Sequence, residues 1–362
     1  MSIFTNDSIQ FSKNLKSIKV KFNAGGDIKN VTSVYSNIQN QDLSPQLTWK
    51  TDDGGVGYDG YSVLSGYGTA GNYCKYFTKD NFGVSTSISL GAATGKTTFI
   101  EKIDEHIFMN IGSIIFRSSD GGKTFSSVLS SINNAYINSM SIAYGNGTII
   151  VDYNDNNGNN IYYSKNKGLT WTFKRVYNVN TFGNIVFGNG KFIYYSKYED
   201  STYRGKYHYS EDGVNWIENT ITTTFRPYWI GFANNRFVGV GGLNTTNTPL
   251  RCYSDDGINW SVASTNSFQT NSRFIGYVNG MYYAINDNLS NVFYSNDGVS
   301  WSNSSVKISP KPSTLLDIIF SQENNKFYLV SSNNIFSSND AINWTSVYTN
   351  PQTFTDGKLF IY

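Results

Sequence analysis

The chain has 362 residues, a formal net charge of +2, 15% charged residues and 16% aromatic residues. A net charge this close to zero excludes broad electrostatic attraction to nucleic acid or an anionic membrane, and no stretch approaches the roughly 18 apolar residues that membrane insertion requires. Many Tyr, Phe, Asn, Ser and Gly residues with few charges are typical of an all-β protein rich in turns.

The first 72 residues have a pattern of their own. The segment 8–22, SIQFSKNLKSIKVKF, alternates and predicts two strands, and 27–37, DIKNVTSVYSN, predicts a third. No basic segment followed by an apolar core opens the chain, so export through a signal peptide is not expected. We interpret residues 1–72 as a β-rich extension, either packed on the rest of the chain or serving as an attachment module.

A repeat that reads Tyr-Ser-x-Asp-Gly-x-x-Trp recurs through the rest of the chain, and we call it the box. It is clearest as YSEDGVNW, YSDDGINW and YSNDGVSW, with SSNDAINW, SSDGGKTF, SKNKGLTW and TKDNFGVS as variants. The boxes begin at Ser or Thr residues 78, 118, 164, 210, 254, 295 and 338, so successive differences are 40, 46, 46, 44, 41 and 43 residues. Internal repeats of this length indicate a propeller or a related repeat fold.

A second motif recurs out of phase with the box. It is a two-residue turn between apolar runs, as in IAYGNGTIIV and IVFGNGKFIYY. Asn-Gly and Asp-Gly between apolar runs predict tight hairpins, because both turn residues must take positive φ. The seven turns are centred on residues 104–105, 146–147, 189–190, 234–235, 279–280, 324–325 and 356–357.

Together the motifs predict an all-β propeller of four-stranded antiparallel blades over residues 73–362. Seven boxes and seven hairpins give seven blades, although a weak box-like stretch at 11–18 leaves an eighth possible. The first box has no hairpin before it and the hairpin at 356–357 has no box after it. We therefore expect the C-terminal hairpin to supply the inner half of a blade whose outer half is 73–90, which removes exposed sheet edges.

The recurrent side chains of the box have a structural interpretation. An Asp or Asn at its third position can accept hydrogen bonds from its own turn, and the aromatic residue can pack between blades. Recurrence in every blade favours this role over a ligand array. The residues so interpreted are Asp120, Asn166, Asp212, Asp256, Asp297, Asp340, Trp171, Trp216, Trp260, Trp301 and Trp344.

The box, most clearly SSDGGKTF, resembles the Asp-box or BNR repeat of sialidase-like propellers. The resemblance covers about 290 residues and is specific for fold but not for function. It implies a class that includes sialidases, other glycoside hydrolases, assembly factors, sorting receptors and tail proteins of phages. Sialidases carry a Phe/Tyr-Arg-Ile-Pro motif before the first box, whereas Phe225-Arg226-Pro227 lacks the Ile and precedes the fifth.

No catalytic set emerges from the sequence. A glycoside hydrolase needs two carboxylates facing a cleft, and of the six Glu residues only the pair Glu199-Asp200 in a long loop merits inspection. His106 and His208 fit neither a Ser-His-Asp triad nor, with two cysteines, a metal-ligand spacing. We predict no metal, no cofactor and no catalytic residue, and an enzyme is the less favoured interpretation.

Loops opposite the box turns are the expected ligand surface. They include 154–160, 198–206, 225–229, 243–248, 270–274 and 286–291, which are rich in Asn, Ser, Thr and aromatic residues suited to sugars. The candidate ligand-binding residues are Arg226, Tyr228, Trp229, Tyr203, Arg204 and Arg273.

The sequence therefore favours a non-enzymatic recognition protein that binds a cell-surface glycan or protein receptor. By analogy it resembles a receptor-binding component of a phage tail or tail-like particle, attached to other subunits through residues 1–72. The expected location is the virion or particle, or otherwise the cytoplasm, without nucleic-acid binding or membrane insertion. The alternatives are a sialidase-like glycoside hydrolase and a scaffold propeller that binds only protein.

Overall fold

Two units make up the chain, Met1–Asp59 and Gly60–Tyr362. The computed structural model describes residues 18–20, 29–36, 47–51, 62–68, 71–77, 82, 85–91, 93, 95–130, 140–155, 158–177, 183–196, 206–221, 225–243, 249–264, 272–322, 324–349 and 353–361. The first unit contains one antiparallel sheet of β1 (Ile18–Val20), β2 (Lys29–Ser36) and β3 (Leu47–Thr51). The sequence predicted β1 and β2 but not β3, and the other strand predicted within 8–22 lies outside the described residues.

The second unit is a seven-bladed propeller of antiparallel sheets. Blades 1 to 6 follow one another along the chain, and in each the strands pair in chain order from the innermost outwards. Their strands are β7 (Ile100–Ile103), β8 (His106–Ile111), β9 (Ile114–Ser118), β10 (Ser126–Leu129); β11 (Ser141–Gly145), β12 (Thr148–Asp155), β13 (Gly158–Ser164), β14 (Thr172–Tyr177); β15 (Gly183–Gly188), β16 (Lys191–Ser196), β17 (Lys206–Ser210), β18 (Ile217–Thr220); β19 (Phe225–Ala233), β20 (Arg236–Leu243), β21 (Pro249–Ser254), β22 (Ser261–Ser264); β23 (Ser272–Val278), β24 (Met281–Asn286), β25 (Asn291–Ser295), β26 (Ser302–Ser305); and β28 (Leu315–Ser321), β29 (Lys326–Ser331), β30 (Asn334–Ser338), β31 (Asn343–Thr349).

Blade 6 has a fifth strand that the sequence did not predict. The short β27 (Lys307–Ile308) pairs in parallel with the outermost strand β31, with Lys307 opposite Asn343. The backbone N–H of Lys307 also donates to the carbonyl of Ile342 at 2.7 Å. This segment covers the outer edge of the blade, which would otherwise present unpaired backbone groups.

The predicted hairpin turns join strand one to strand two in blades 1 to 6. In blade 2 the turn residues Asn146 and Gly147 have φ of 47° and 71°, and in blade 3 Asn189 and Gly190 have φ of 46° and 74°. These left-handed conformations match the two-residue turn that antiparallel strands of normal twist require. The Asn and Gly residues are therefore selected by backbone geometry.

In blades 1 to 6 the box turns join strand three to strand four, and hydrogen bonds within the turn fix its shape. Most of the first box, at 78–85, lies outside the described residues. In blade 3, the Asp212 Oδ1 accepts from the Ser210 hydroxyl at 3.0 Å and from the backbone N–H of Asn215 at 2.7 Å. The Trp216 indole N–H donates to the carbonyl of Gly213 at 3.2 Å, and Gly213 has φ of 74°. The same pattern recurs around Asp256, Asp297 and Asp340.

Box tryptophans also contact aromatic rings of neighbouring blades. Trp171 of blade 2 lies 6.4 Å from Phe108 of blade 1, ring centre to ring centre, and Trp260 of blade 4 lies 5.9 Å from Tyr207 of blade 3. Both pairs meet edge to face, an arrangement that adds to the stabilisation from apolar burial. Each such ring helps to join consecutive blades.

A second set of bonds joins the blades on the face that carries the boxes, which we call the box face. The side-chain amide of Asn146 donates to the carbonyls of Gly190 at 3.0 Å and Glu211 at 2.7 Å, both in the next blade. Asn189 makes the equivalent bond to the carbonyl of Asn235 at 3.0 Å. The hairpin asparagines therefore connect blades as well as forming turns.

Blade 7 closes the ring with strands from both ends of the propeller. Its order is β32 (Phe354–Ile361), β4 (Ser62–Gly68), β5 (Gly71–Phe77) and β6 (Ser85–Ser87). The prediction that the ends complete one blade holds, but the division differs. One C-terminal strand and three N-terminal strands form the blade, whereas we expected two strands from each end.

The predicted hairpin at Asp356-Gly357 is wrong. Both residues lie within β32 and pair with Tyr67 and Gly66, after a register shift that follows Phe354. An apolar strand β4, with Val63 and Leu64 fully buried, supplies strand two in place of a hairpin return. The boundary expected after residue 72 consequently lies at Asp59–Gly60.

Apolar side chains between adjacent blades form the core. One cluster joins Leu64 and Phe77 of blade 7 to Val330 of blade 6 through Leu359, which is 1% exposed. Among the described residues, no helix has the length and apolar character needed to cross a bilayer.

The box turns predict a specific acid sensitivity. Burial raises the pKa of Asp256, but hydrogen bonds from the backbone N–H groups of Asn259 and Ile258 and from two side chains outweigh it and lower the pKa to about 2. The group therefore contributes stability above pH 3.8, its ordinary value, and loses it as the pH falls through about 2. Blade 2 has Asn166 in this position, next to Thr170.

We expect Asn166→Asp to raise the free energy of unfolding by up to about 1 kcal/mol at pH 7, because hydrogen bonds to a charged acceptor are stronger. Blade 1 already has this arrangement, in which the Thr124 hydroxyl donates to Asp120 at 2.6 Å. The gain should vanish near pH 2. Asp256→Asn should lower the free energy of unfolding at pH 7 and have little effect near pH 2. Urea unfolding curves at pH 7 and pH 2 measure both effects, and a gain that persists at pH 2 would contradict the explanation.

The closing strand predicts a large cost for a small truncation. Leu359→Ala should destabilise the propeller by about 3 kcal/mol, because it leaves a cavity among buried side chains of two blades. Leu169, which is 62% exposed in a box turn, provides the control. Its replacement by Ala should change stability by less than about 0.5 kcal/mol in the same urea titration.

Candidate functional site

The innermost strands of the seven blades surround a central channel. Its volume is about 700 Å³, and residues from all seven blades line it. This volume lies in the range of pockets that bind small ligands. The channel is therefore the cavity on which we base the candidate site.

Three charged side chains from adjacent blades meet in the channel, and we call them the channel triad. They are Glu101 on β7, Asp317 on β28 and Lys358 on β32. The Lys358 Nζ donates to the Asp317 Oδ1 at 2.8 Å, and the backbone N–H of Leu359 donates to its Oδ2 at 3.1 Å. Both carboxylate oxygens of Asp317 thus have partners within the protein, and the side chain is only 10% exposed.

Glu101 is placed differently from Asp317. Its side chain is exposed to the channel, yet the inner strands of the propeller surround the carboxyl group. Removal from bulk water raises the pKa of Glu101 to about 7, the negative charge of Asp317 adds to this, and the positive charge of Lys358 opposes it. Near neutral pH the group therefore exists in both protonation states and can donate or accept a hydrogen bond.

Arg273 lines the same channel nearer the loops opposite the box face. Its Nε donates to the Asp287 Oδ1 at 2.6 Å, and its two terminal nitrogens donate to the carbonyls of Leu316 and Leu315 at 3.1 and 3.2 Å. The guanidinium group connects blade 5 to the first strand of blade 6. Three of its five N–H groups are used in this way.

Trp229 and its neighbours lie in a strand, whereas the sequence placed 225–229 in a loop. β19 begins at Phe225, and Arg226 pairs with Gly242 of β20. Trp229 is partly buried and lines the channel while it packs against Val240 and Tyr282. The backbone of Tyr228 belongs to the same strand, at a register shift between Pro227 and Trp229.

The remaining candidates lie outside the described residues. These are Tyr203 and Arg204, together with the acidic pair Glu199-Asp200. Of the six predicted ligand-binding residues, the structure brings Trp229 and Arg273 to the channel and places Arg226 and Tyr228 on the strand that carries Trp229.

The channel triad was not predicted from the sequence. Glu101 lies in IEKI, a short strand before a hairpin turn, and Asp317 and Lys358 lie in the apolar runs LLDIIF and GKLF. A charge in the innermost strand of a blade is the signal that could have identified all three residues. It was missed because ligand-binding residues were expected in the loops and not on the innermost strands.

Potential metal ligands are dispersed in the described part of the chain. It contains no group of three or more His, Cys, Asp and Glu side chains close enough to hold an ion. The triad has two carboxylates and an ammonium group, and the ammonium occupies the place that a cation would take beside Asp317.

Comparisons with known proteins define the fold class. No family model matches the sequence, and no curated protein matches it. Among solved structures, the chain is similar to YCF48 bound to D1 peptide, with 14% identity over 70% of this chain and 82% of that one and a TM-score of 0.53.

Two bacterial structures are similar in the same way. Virginiamycin B lyase from Staphylococcus aureus has 11% identity, covers 70% of this chain and 84% of its own, and gives a TM-score of 0.54. A functionally unknown protein from Desulfotomaculum acetoxidans has 12% identity, and the match covers 84% of this chain and 98% of that one with a TM-score of 0.58. At such low identity these similarities establish the β-propeller fold alone, a fold that hosts unrelated functions.

The triad makes Glu101 a testable titrating group. We expect an NMR titration of its carboxyl carbon to give a midpoint near pH 7, shifted upward by Lys358→Met and downward by Asp317→Asn. Because the folded-state pKa exceeds the ordinary value of 4.5, ionisation opposes folding as the pH rises through about 7. Glu101→Gln should therefore stabilise the protein at pH 8 and not at pH 4, and a midpoint below pH 5 would contradict this account.

Proposed function

We propose that this chain is a non-enzymatic recognition propeller that binds a cell-surface glycan at the central channel and the loops around its mouth. The observation that carries the proposal is the difference between the box face and the channel. On the box face, the hairpin residues Asn146 and Asn189 bond to the next blade, and box side chains such as Asp212 bond within their own turn. The channel, in contrast, presents Glu101 and part of Trp229 to solvent.

These channel groups suit a sugar. Carboxyl and guanidinium groups form hydrogen bonds with hydroxyls, and an indole offers an apolar surface beside them. The sequence adds Asn, Ser, Thr and Tyr in the loops, residues that adaptable binding surfaces use. A role in a phage tail or tail-like particle, with residues 1–72 as the attachment segment, belongs to the proposal by analogy.

A glycoside hydrolase is the second candidate, and Glu101 is the observation that favours it. A carboxyl with pKa about 7 has the property of a general acid. A hydrolase needs a second carboxylate that is available to substrate or water, whereas both oxygens of Asp317 are engaged by Lys358 and Leu359. For this reason we favour binding without turnover.

The experiment combines a glycan array with a turnover assay on fluorogenic glycosides, including a sialoside. We expect binding without turnover, and at least about tenfold weaker binding in Arg226→Ala, equal to about 1.4 kcal/mol. Arg175→Ala is the matched control, because Arg175 is exposed on the outer strand β14, far from the channel.

Three other outcomes would each replace the proposal. Turnover that is lost in Glu101→Gln would establish a hydrolase. Binding to proteins alone would favour a scaffold propeller. Equal loss of glycan binding in Arg226→Ala and Arg175→Ala would place the glycan site away from β19.

A further inference from the structure

The charges along the channel are not all available to a ligand. Arg273 is paired with Asp287, with 2.6 Å between Nε and Oδ1, and Lys358 is paired with Asp317, with 2.8 Å between Nζ and Oδ1. Each pair is locally neutral. Glu101 is the charge of the triad that these pairs leave uncompensated.

Other charged groups near Glu101 do not change this balance. Lys102, the next residue on β7, is exposed but does not belong to the lining of the channel. Lys96 also lines the channel, but the charges that shift the pKa of Glu101 are those of Asp317 and Lys358. His106 on β8 is opposite Ile103 in the strand register, not opposite Glu101.

We propose that Glu101 determines the specificity of the channel, so that it takes sugars carrying a free amino group and rejects sugars carrying a carboxylate. This inference builds on the proposed glycan binding. An ammonium group beside Glu101 would neutralise the one uncompensated charge of the triad, which has two carboxylates and one lysine. A carboxylate at the same place would face both Glu101 and Asp317, with Lys358 already bound to Asp317.

The channel strengthens this selection. Protein surrounds the triad, so charges interact there more strongly than in bulk water. The raised pKa of Glu101 reports the same environment, because its own ionisation is disfavoured there. A cationic ligand would restore the ionised form, and its affinity would consequently depend on pH.

The test uses disaccharides that differ in one group of the terminal sugar, namely glucosamine, glucose and glucuronic acid, and the full chain in isothermal titration calorimetry. At pH 7 we expect the glucosamine compound to bind at least about tenfold more tightly than the glucose compound, and the glucuronic acid compound to bind most weakly. At pH 5.5, where Glu101 is protonated, binding of the amine should weaken roughly tenfold, while binding of glucose should hardly change.

Glu101→Gln should abolish the preference and its pH dependence. Glu211→Gln, which removes the same charge from an exposed box turn, should leave both unchanged. The comparison of the two pH values needs no variant and therefore remains informative if Glu101→Gln does not fold.

The outcomes separate this inference from the proposed function. Equal affinity for the three sugars, or tighter binding of glucuronic acid, would overturn the inference and leave glycan recognition standing. A preference for the amine that survives Glu101→Gln would assign it to another residue. Absence of binding to any glycan, on the array or in calorimetry, would overturn both.

Discussion

Antiparallel pairing between β32 and β4 holds the ring together, and the other blades depend on it. Without this pairing the inner edge of blade 7 and the flank of blade 6 would both be exposed, each with unpaired backbone groups or apolar side chains. Register pairing from Phe354 to Ile361 satisfies the backbone, and Leu359 fills the space between the two blades. The same strand carries Lys358 into the channel, so closure also completes the charged triad.

Two recurrent turns shape the blades and connect them to one another. The box fixes the outer hairpin through a carboxylate that accepts several hydrogen bonds, and its tryptophan reaches the neighbouring blade, as Trp171 reaches Phe108. The Asn of the inner hairpin then connects successive blades on the box face. Because these side chains are engaged in assembly, the proposed ligand recognition is assigned to the channel and to the loops at its other end.

Much of the fold could be predicted from the sequence, because both turns have local physical signatures. The turn at Asn146-Gly147 requires positive φ, and the hydrogen bond from Ser210 to Asp212 lies within a single turn. The division of blade 7 could not be predicted, since Asp356-Gly357 has the composition of a hairpin and only long-range pairing with Tyr67 and Gly66 makes it a strand. The triad was missed for a related reason: Glu101, Asp317 and Lys358 are far apart in sequence and meet only when the ring is complete.

Closure has a consequence for how the propeller folds. The paired residues Phe354 and Gly68 are 286 positions apart, since 354 − 68 = 286. Bringing together the ends of so long a loop costs about 5 kcal/mol in chain entropy if the intervening chain is flexible. Each of blades 1 to 6, in contrast, is built from neighbouring hairpins, so the blades can form early and shorten the effective loop. We therefore expect ring closure to be the slow, final step of folding, and the open ring to be the species most exposed to proteolysis and aggregation.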